Sequence, residues 1–250
     1  MRRIENAPVV VMDFSGAYQL EPFAHNHDFI HIDCTDLSGT NCILLPKSAE
    51  IIQQRIQDLG PRGIHFIDSG DYHYMTKLWT DKIIEPFTLV VVDHHTDMQI
   101  PKVRGALTCG DWVDAVIKDN HQLQQVIIIG PHREAYKDIP RYYLDKVRTV
   151  SPTDFRLLIK GKVPLRETGA VYLSIDKDVL DPSSAITNWD QGHMTLAELH
   201  KLVTLLMDTK QMIGIDVCGE FATMRSLFEA EQAATIDSIA NETILEAVNA

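Results

Sequence analysis

Four ionisable side chains fall within five positions where an apolar run stops, at the end of Thr88 to Asp97, TLVVVDHHTD. A short run rich in β-branched residues reads as a buried parallel strand, and the carboxyl ends of such strands are where open α/β sheets carry their chemistry. If extended geometry persists through Asp97, then Asp93, His95 and Asp97 point to one face and His94 to the other. A second run, Val171 to Pro182, VYLSIDKDVLDP, ends with Asp176 and Asp178 on one face ahead of an Asp-Pro turn. Carboxylates gathered in this way repel one another unless a cation neutralises them. Two carboxylates and an imidazole on one face suit a divalent ion such as Mn or Zn.

These residues carry a resemblance. Asp93-His94-His95-Thr96-Asp97 resembles the Asp-Ala-His-x-Asp motif of the arginase/agmatinase (ureohydrolase) family. Ser174 to Pro182 is similar to that family's Ser-x-Asp-x-Asp-x-x-Asp-Pro motif, which fixes five positions. Ser69-Gly70-Asp71-Tyr72-His73 is a weaker match to Gly-Gly-Asp-His, with one residue inserted before the histidine. The resemblance implies six metal ligands, His73, Asp93, His95, Asp97, Asp176 and Asp178, and two Mn2+ ions bridged by Asp93 and Asp176, with Zn2+ as the other candidate. Ions so placed lower the pKa of a shared water to about 7 and make it a nucleophile. His94 replaces the small residue usual between two ligands, so packing beside the site is expected of it.

Further positions follow from the same likeness. Glu220 stands where the family keeps a substrate-binding glutamate, but Asp216 to Glu220 has one residue more than the family's Asp-x-x-Glu. Cys109-Gly110 takes the place of a His-Gly step whose histidine carries a proton to the leaving amine. Cys109 and Glu220 are therefore the candidate catalytic residues, with a thiol of unperturbed pKa near 8.5 a poorer proton carrier at neutral pH than an imidazole near 6.5. Trp189, Asp190 and His193, in the polar loop beyond the second aspartate motif, are candidate substrate contacts, because such loops carry specificity.

Strands and helices alternate to hold these residues. Strands are expected at Pro8 to Met12, Phe29 to Asp33, Gly63 to Asp68, Thr88 to Asp93, Gln125 to Gly130, Lys146 to Val150, Ala170 to Ile175 and Met212 to Val217. Helices are expected from Pro46 or Lys47 to Leu59, from Asp111 through Trp112, Val116 and Ile117, and after Thr195, whose spacing to Glu198 is that of a capping box. A last helix carries Ile236, Ala240 and Ile244 on one side. About eight strands alternating with helices predict one three-layer α/β/α domain over residues 1–250 with a mostly parallel sheet. The family resembled has that architecture.

Composition narrows the function. With 23 Lys and Arg against 35 Asp and Glu the net charge is −12, which argues against nucleic-acid or anionic-membrane partners. Four cysteines, Cys34, Cys42, Cys109 and Cys218, show no CxxC spacing and read as free thiols. The start of the chain lacks the apolar core of a signal peptide, so a cytoplasmic protein is expected. The partner expected is a small-molecule substrate. The family often forms homo-oligomers, although no helix here shows an apolar stripe broad enough to mark an interface. The leading expectation is a binuclear metallohydrolase of a non-peptide C–N bond in a guanidino, amidino or amide compound. The alternatives are a deacetylase-like mononuclear zinc hydrolase and a metal- or ligand-binding protein without catalysis.

Overall fold

The computed structural model describes residues 7–26, 28–100, 105–222 and 226–249. Ten strands occur among them: β1 (Val9–Asp13), β2 (Ile30–Asp33), β3 (Ile43–Leu44), β4 (Ile64–Phe66), β5 (Phe87–Val92), β6 (Leu107–Thr108), β7 (Leu123–Ile129), β8 (Val147–Val150), β9 (Ala170–Asp176) and β10 (Met212–Cys218). The six α-helices are α1 (Pro46–Arg55), α2 (Met75–Thr80), α3 (Trp112–Asp119), α4 (Pro152–Leu158), α5 (Leu196–Thr209) and α6 (Leu227–Asn249). Eight strands form one sheet in the order β2-β1-β4-β10-β9-β5-β7-β8, and every pairing in it is parallel. The short β3 and β6 pair antiparallel, apart from it.

Strand alternation splits the core in two. Val90 and Val92 of β5, Ile127 and Ile129 of β7, and Val171, Leu173 and Ile175 of β9 face one side, where α4, α5 and α6 supply Phe155, Leu202, Val203, Leu206 and Ile244. Leu89, Val91, Val126, Ile128 and Tyr172 face the other, against Ile52 of α1, Trp79 of α2, and Trp112 and Val116 of α3. Each fully buried aliphatic side chain contributes about 1.5–3 kcal/mol, so strands apolar on both faces must be covered on both. The result is the three-layer α/β/α arrangement expected.

All eight expected sheet strands are present, and no end is shifted by more than two residues. The capping box at Thr195 and Glu198 is formed on both sides. Helix α1 stops at Arg55, short of Leu59. Helices α2 and α4, with six and seven residues, are too short for a helical period to stand out in the sequence. The two-residue strands of the β3–β6 ribbon likewise carry no alternation to read. No helix among the described residues is long and apolar enough to cross a membrane.

Candidate metal centre

The carboxyl ends of four neighbouring strands, β4, β10, β9 and β5, converge on one point. Beyond β4, a 3-10 turn at Gly70–Tyr72 absorbs the inserted residue: Tyr72 turns inward and stacks on Phe14 with ring centroids 4.5 Å apart. His73 follows, 1% exposed, and its Nε2 meets the Ser174 hydroxyl at 2.8 Å. That contact leaves Nδ1 facing three carboxylates, Asp97 Oδ2 at 2.9 Å, Asp93 Oδ2 at 3.3 Å and Asp176 Oδ2 at 3.5 Å.

Extended geometry does not persist through Asp97 as the sequence reading supposed. β5 ends at Val92, and Asp97 adopts a left-handed φ of 50°, a conformation that costs a non-glycine residue energy and needs support. Trp112 of α3 supplies it, donating its indole Nε1–H to Asp97 Oδ2 at 2.5 Å, while the Val113 N–H meets the Asp97 carbonyl at 3.2 Å. Asp93, His95 and Asp97 therefore still meet, around a bend. Asp178 Oδ2 lies 2.8 Å from His95 Nδ1, and Asp93 Oδ1 lies 3.5 Å from the same nitrogen. His94 turns away, and its main-chain N–H donates to Asp178 Oδ1 at 3.0 Å.

The six implied ligands thus form one cluster, with Asp93 shared. Its Oδ2 belongs to a group with His73 and Asp97, and its Oδ1 faces His95 and Asp178. His73 Nδ1 and Asp93 Oδ2 are buried without a hydrogen-bond partner, and orphaned polar atoms at the focus of an acidic cluster are what a cation would satisfy. The donor set, four carboxylates and two imidazoles, fits divalent Mn or Zn.

Electrostatics agree. Burial, and then Asp176 and Asp93, push Asp178 well above the usual carboxylate range. Burial and Asp93 push Asp97 up to about 6 and raise Asp176. Burial pulls His95 down, but Asp178 and Asp93 outweigh it and carry the imidazole up to about 11.

Cys218 joined the cluster unforeseen. It pairs with Asp176 across β10 and β9, its thiol reaches Asp176 Oδ2 at 3.2 Å, and it forms a third group with His73 and Asp176. Only the strand order could have revealed it, since nothing in the sequence sets β10 beside β9.

The cluster floors a cleft of about 210 Å³ walled by Cys42, Ile43, Ile100, Cys109 and Trp189. Trp189 is 41% exposed, donates its Nε1–H to Asp71 Oδ1 at 2.9 Å, and stands edge-on to His95 at 5.9 Å between centroids. Gly70 lies between them, where a Cβ would come within 2.9 Å of both Asp176 Oδ2 and the Trp189 ring. Cys109 lies opposite Cys42, whose carbonyl accepts its N–H at 3.0 Å. The contact with Cys42, then burial, push the Cys109 thiol far up and keep it protonated.

Three expected residues stand elsewhere. Glu220 is fully buried outside the cleft, paired with Lys177 Nζ at 2.6 Å and accepting from Asn241 Nδ2 at 3.0 Å. Gly219, with φ 103°, precedes it, and the Glu220 carboxylate is held by Lys177 and Asn241 and not turned into the cleft; the expectation of a substrate-facing Glu220 is corrected accordingly. Asp190 is exposed and lines no described cavity. His193 opens onto a different cavity, beyond His94. Burial, then His95 and His132, keep His94 below the usual imidazole pKa.

The arginase family model matches residues 16–224. The chain belongs to the arginase family. An uncharacterised protein of Thermotoga maritima is 29% identical over 215 residues, 84% of this chain and 78% of that protein. Among solved structures, the Trypanosoma cruzi formiminoglutamase with Mn2+ superposes with a TM-score of 0.70 at 13% identity, covering 99% of this chain and 95% of that one. The Bacillus subtilis formimidoylglutamase gives 0.66 at 16% identity over 96% and 86%. The proclavaminate amidino hydrolase of Streptomyces clavuligerus gives 0.65 at 16% identity over 97% and 92%. At these identities the likeness is one of fold.

Proposed function

We propose that this arginase-family protein is a hydrolase with two divalent ions, Mn2+ in the first instance and Zn2+ in the second, that cleaves the C–N bond of a small amidino, guanidino or amide compound. The observation that carries the reading is the shared Asp93 carboxylate, one oxygen in each of two ligand groups. His73, Asp97 and Asp176 would hold one ion and His95 and Asp178 the other, with Asp93 and Asp176 common to both. Bound there, the ions would supply the nucleophile by acidifying water. The chain's own residues do the rest. Ser174 fixes the His73 ring and Trp112 the Asp97 carboxylate. Trp189 and Ile100 give the cleft apolar walls, and Asp97, Asp176 and Asp178 favour a cationic or neutral head group.

No Lys or Arg among the described residues lines this cleft, which supports an uncharged or cationic substrate. Glu220, withdrawn to Lys177, offers no anchor to a guanidinium, and a Cys109 held protonated is a poor proton carrier. Both support a substrate other than arginine or agmatine. The same two features favour the second reading, a metal-binding protein without turnover. The reading includes a cytoplasmic setting, which four free thiols suit.

The test is metal analysis of the Mn-loaded protein beside assays for ammonia, urea and amine release from a panel of linear amidines, guanidines and amides. Two ions per chain and turnover of an amidine or amide, with little urea from arginine or agmatine, are expected. One ion per chain would favour the mononuclear alternative, and two ions with no turnover the non-catalytic one.

A further inference from the structure

A second cavity, of about 570 Å³ against about 210 Å³ for the metal cleft, opens beyond the ends of β7 and β8. The two share no wall residue, and His94 stands between them, with its main chain on Asp178 and its ring in the larger cavity. The floor is apolar, supplied by Val150, Phe155, Val179 and Met194. Around it are Arg133, Arg156, His94, His132 and His193, with the His94 and His132 rings 5.1 Å apart.

The charge balance of this wall is one-sided. Glu198 is its one acid, and its carboxylate is committed to the start of α5, accepting the Thr195 N–H at 3.0 Å and the Thr195 hydroxyl at 3.1 Å. Asp154, just outside, accepts the Ser151 hydroxyl at 2.8 Å. Arg133 and Arg156 have no ion-pair or hydrogen-bond partner among the described residues, and His94 Nδ1 is buried without one. Two free guanidinium forks beside an apolar floor are a chemistry for an anion with an apolar body, and the volume lies within the range of small-molecule sites.

We propose that this cavity is a second binding site, separate from the metal cleft, for a small organic anion, a carboxylate or phosphate monoester carried on an aromatic or branched aliphatic body. The apolar floor takes the body and Arg133 and Arg156 take the anionic end. The site stands whether or not the metal centre turns over a substrate.

Calorimetric titration of the Mn-loaded protein with phenylacetate, phenyl phosphate, inorganic phosphate and benzyl alcohol tests this. Saturable one-to-one uptake of phenylacetate or phenyl phosphate is expected, the better of the two identifying the anionic group. Arg133→Gln and Arg156→Gln should each weaken it about tenfold or more, while Asp176→Asn, aimed at the metal cleft, should leave it unchanged. Both arginines are exposed, and circular dichroism would confirm that the variants fold. Uptake lost in Asp176→Asn but kept in the arginine variants would place the anion on the metals and overturn the proposal. So would equal uptake of benzyl alcohol, equal uptake of inorganic phosphate, or no saturable uptake at all.

Discussion

Buried acids lie on both sides of Asp176-Lys177-Asp178, and the two sides are neutralised differently. On one, Asp93, Asp97, Asp176 and Asp178 gather around two imidazoles with no Lys or Arg in the cluster. On the other, Glu21, Glu220 and Asp237 surround the fully buried Lys177, and Asn241 bridges Glu21 and Glu220 at 3.0 Å each. Burial alone would depress the Lys177 pKa, but Asp237 and Glu220 outweigh it and keep the ammonium charged. Burial raises Glu21 well above its usual range and Asp237 to about 7, so protons take up the remaining excess of acid. The second cluster carries its own cation, whereas the first has no Lys or Arg among its side chains.

The contrast is broken most severely at Asp176. Asp176→Asn is expected to empty both metal positions, well beyond the roughly 10- to 100-fold affinity loss from disturbing a residue that only orients a ligand. Ion-free protein should lose no stability, because one of several mutually repelling acids has gone. Plasma mass spectrometry and denaturant titration read the two effects, and two tightly held ions in the variant would sink the shared-carboxylate assignment. Lys177→Met should do the reverse. Leaving Glu220 and Asp237 without their cation is expected to cost about 3–5 kcal/mol, with metal content per folded molecule retained. A Lys177→Met protein of unchanged denaturation midpoint would mean the second cluster is not what holds α6.

Smaller effects sharpen the picture. Trp112→Phe keeps the ring but removes the donor to Asp97, and about a 10- to 100-fold weaker hold on Mn2+ is expected in a chelator competition; an unchanged affinity would show that Asp97 needs no such support. Metal loading should release about one proton or more per chain at pH 7, since His95, up to about 11 in the ion-free protein, must give up its proton to bind. Affinity then rises with pH and falls as acid restores the imidazolium. Calorimetry in two buffers of different ionisation enthalpy measures this, and zero release would mean His95 is not a ligand. Least is expected of Cys109→Ala, a change of less than about threefold in any turnover found, because loss of a working general acid costs ~10² to 10⁴-fold and this thiol stays protonated. A loss of that larger size would restore Cys109 as a proton carrier.

Much of this was legible before any fold was known, and the reasons differ by residue. The acids at 93–97 and 176–178 stand out in the sequence because charged side chains gathered at the ends of buried strands need a partner. The period of two that separates Asp176 and Asp178 from Lys177 could be read as well, but not what Lys177 meets, since Glu21 and Asp237 come from opposite ends of the chain. Glu220 misled because spacing alone cannot show that Gly219 takes a positive φ. Cys218, Trp112 and Ser174 act through sheet neighbours and a helix packed across the layer, and those adjacencies arise only in three dimensions. His193 lies in the loop beyond the second aspartate motif but lines the second cavity, not the cleft over the acidic cluster.

Strand order has a consequence in time. β10 is the last strand of the sheet to be synthesised, yet it lies between β4 and β9, the strands that lead to His73 and Asp176. Until residues 212–218 slot into that central gap, His73 has no fixed separation from the other five expected ligands at the ends of β5 and β9. Glu21 and Asn241, 220 positions apart, then close the rear of the site. Pairings this remote are slow to form and leave edges open meanwhile. A ribosome-bound chain that has not yet emitted β10 already carries all six expected ligands, five of them at the ends of the directly paired β5 and β9, but His73 has no fixed place beside them, so the complete set belongs to the end of folding.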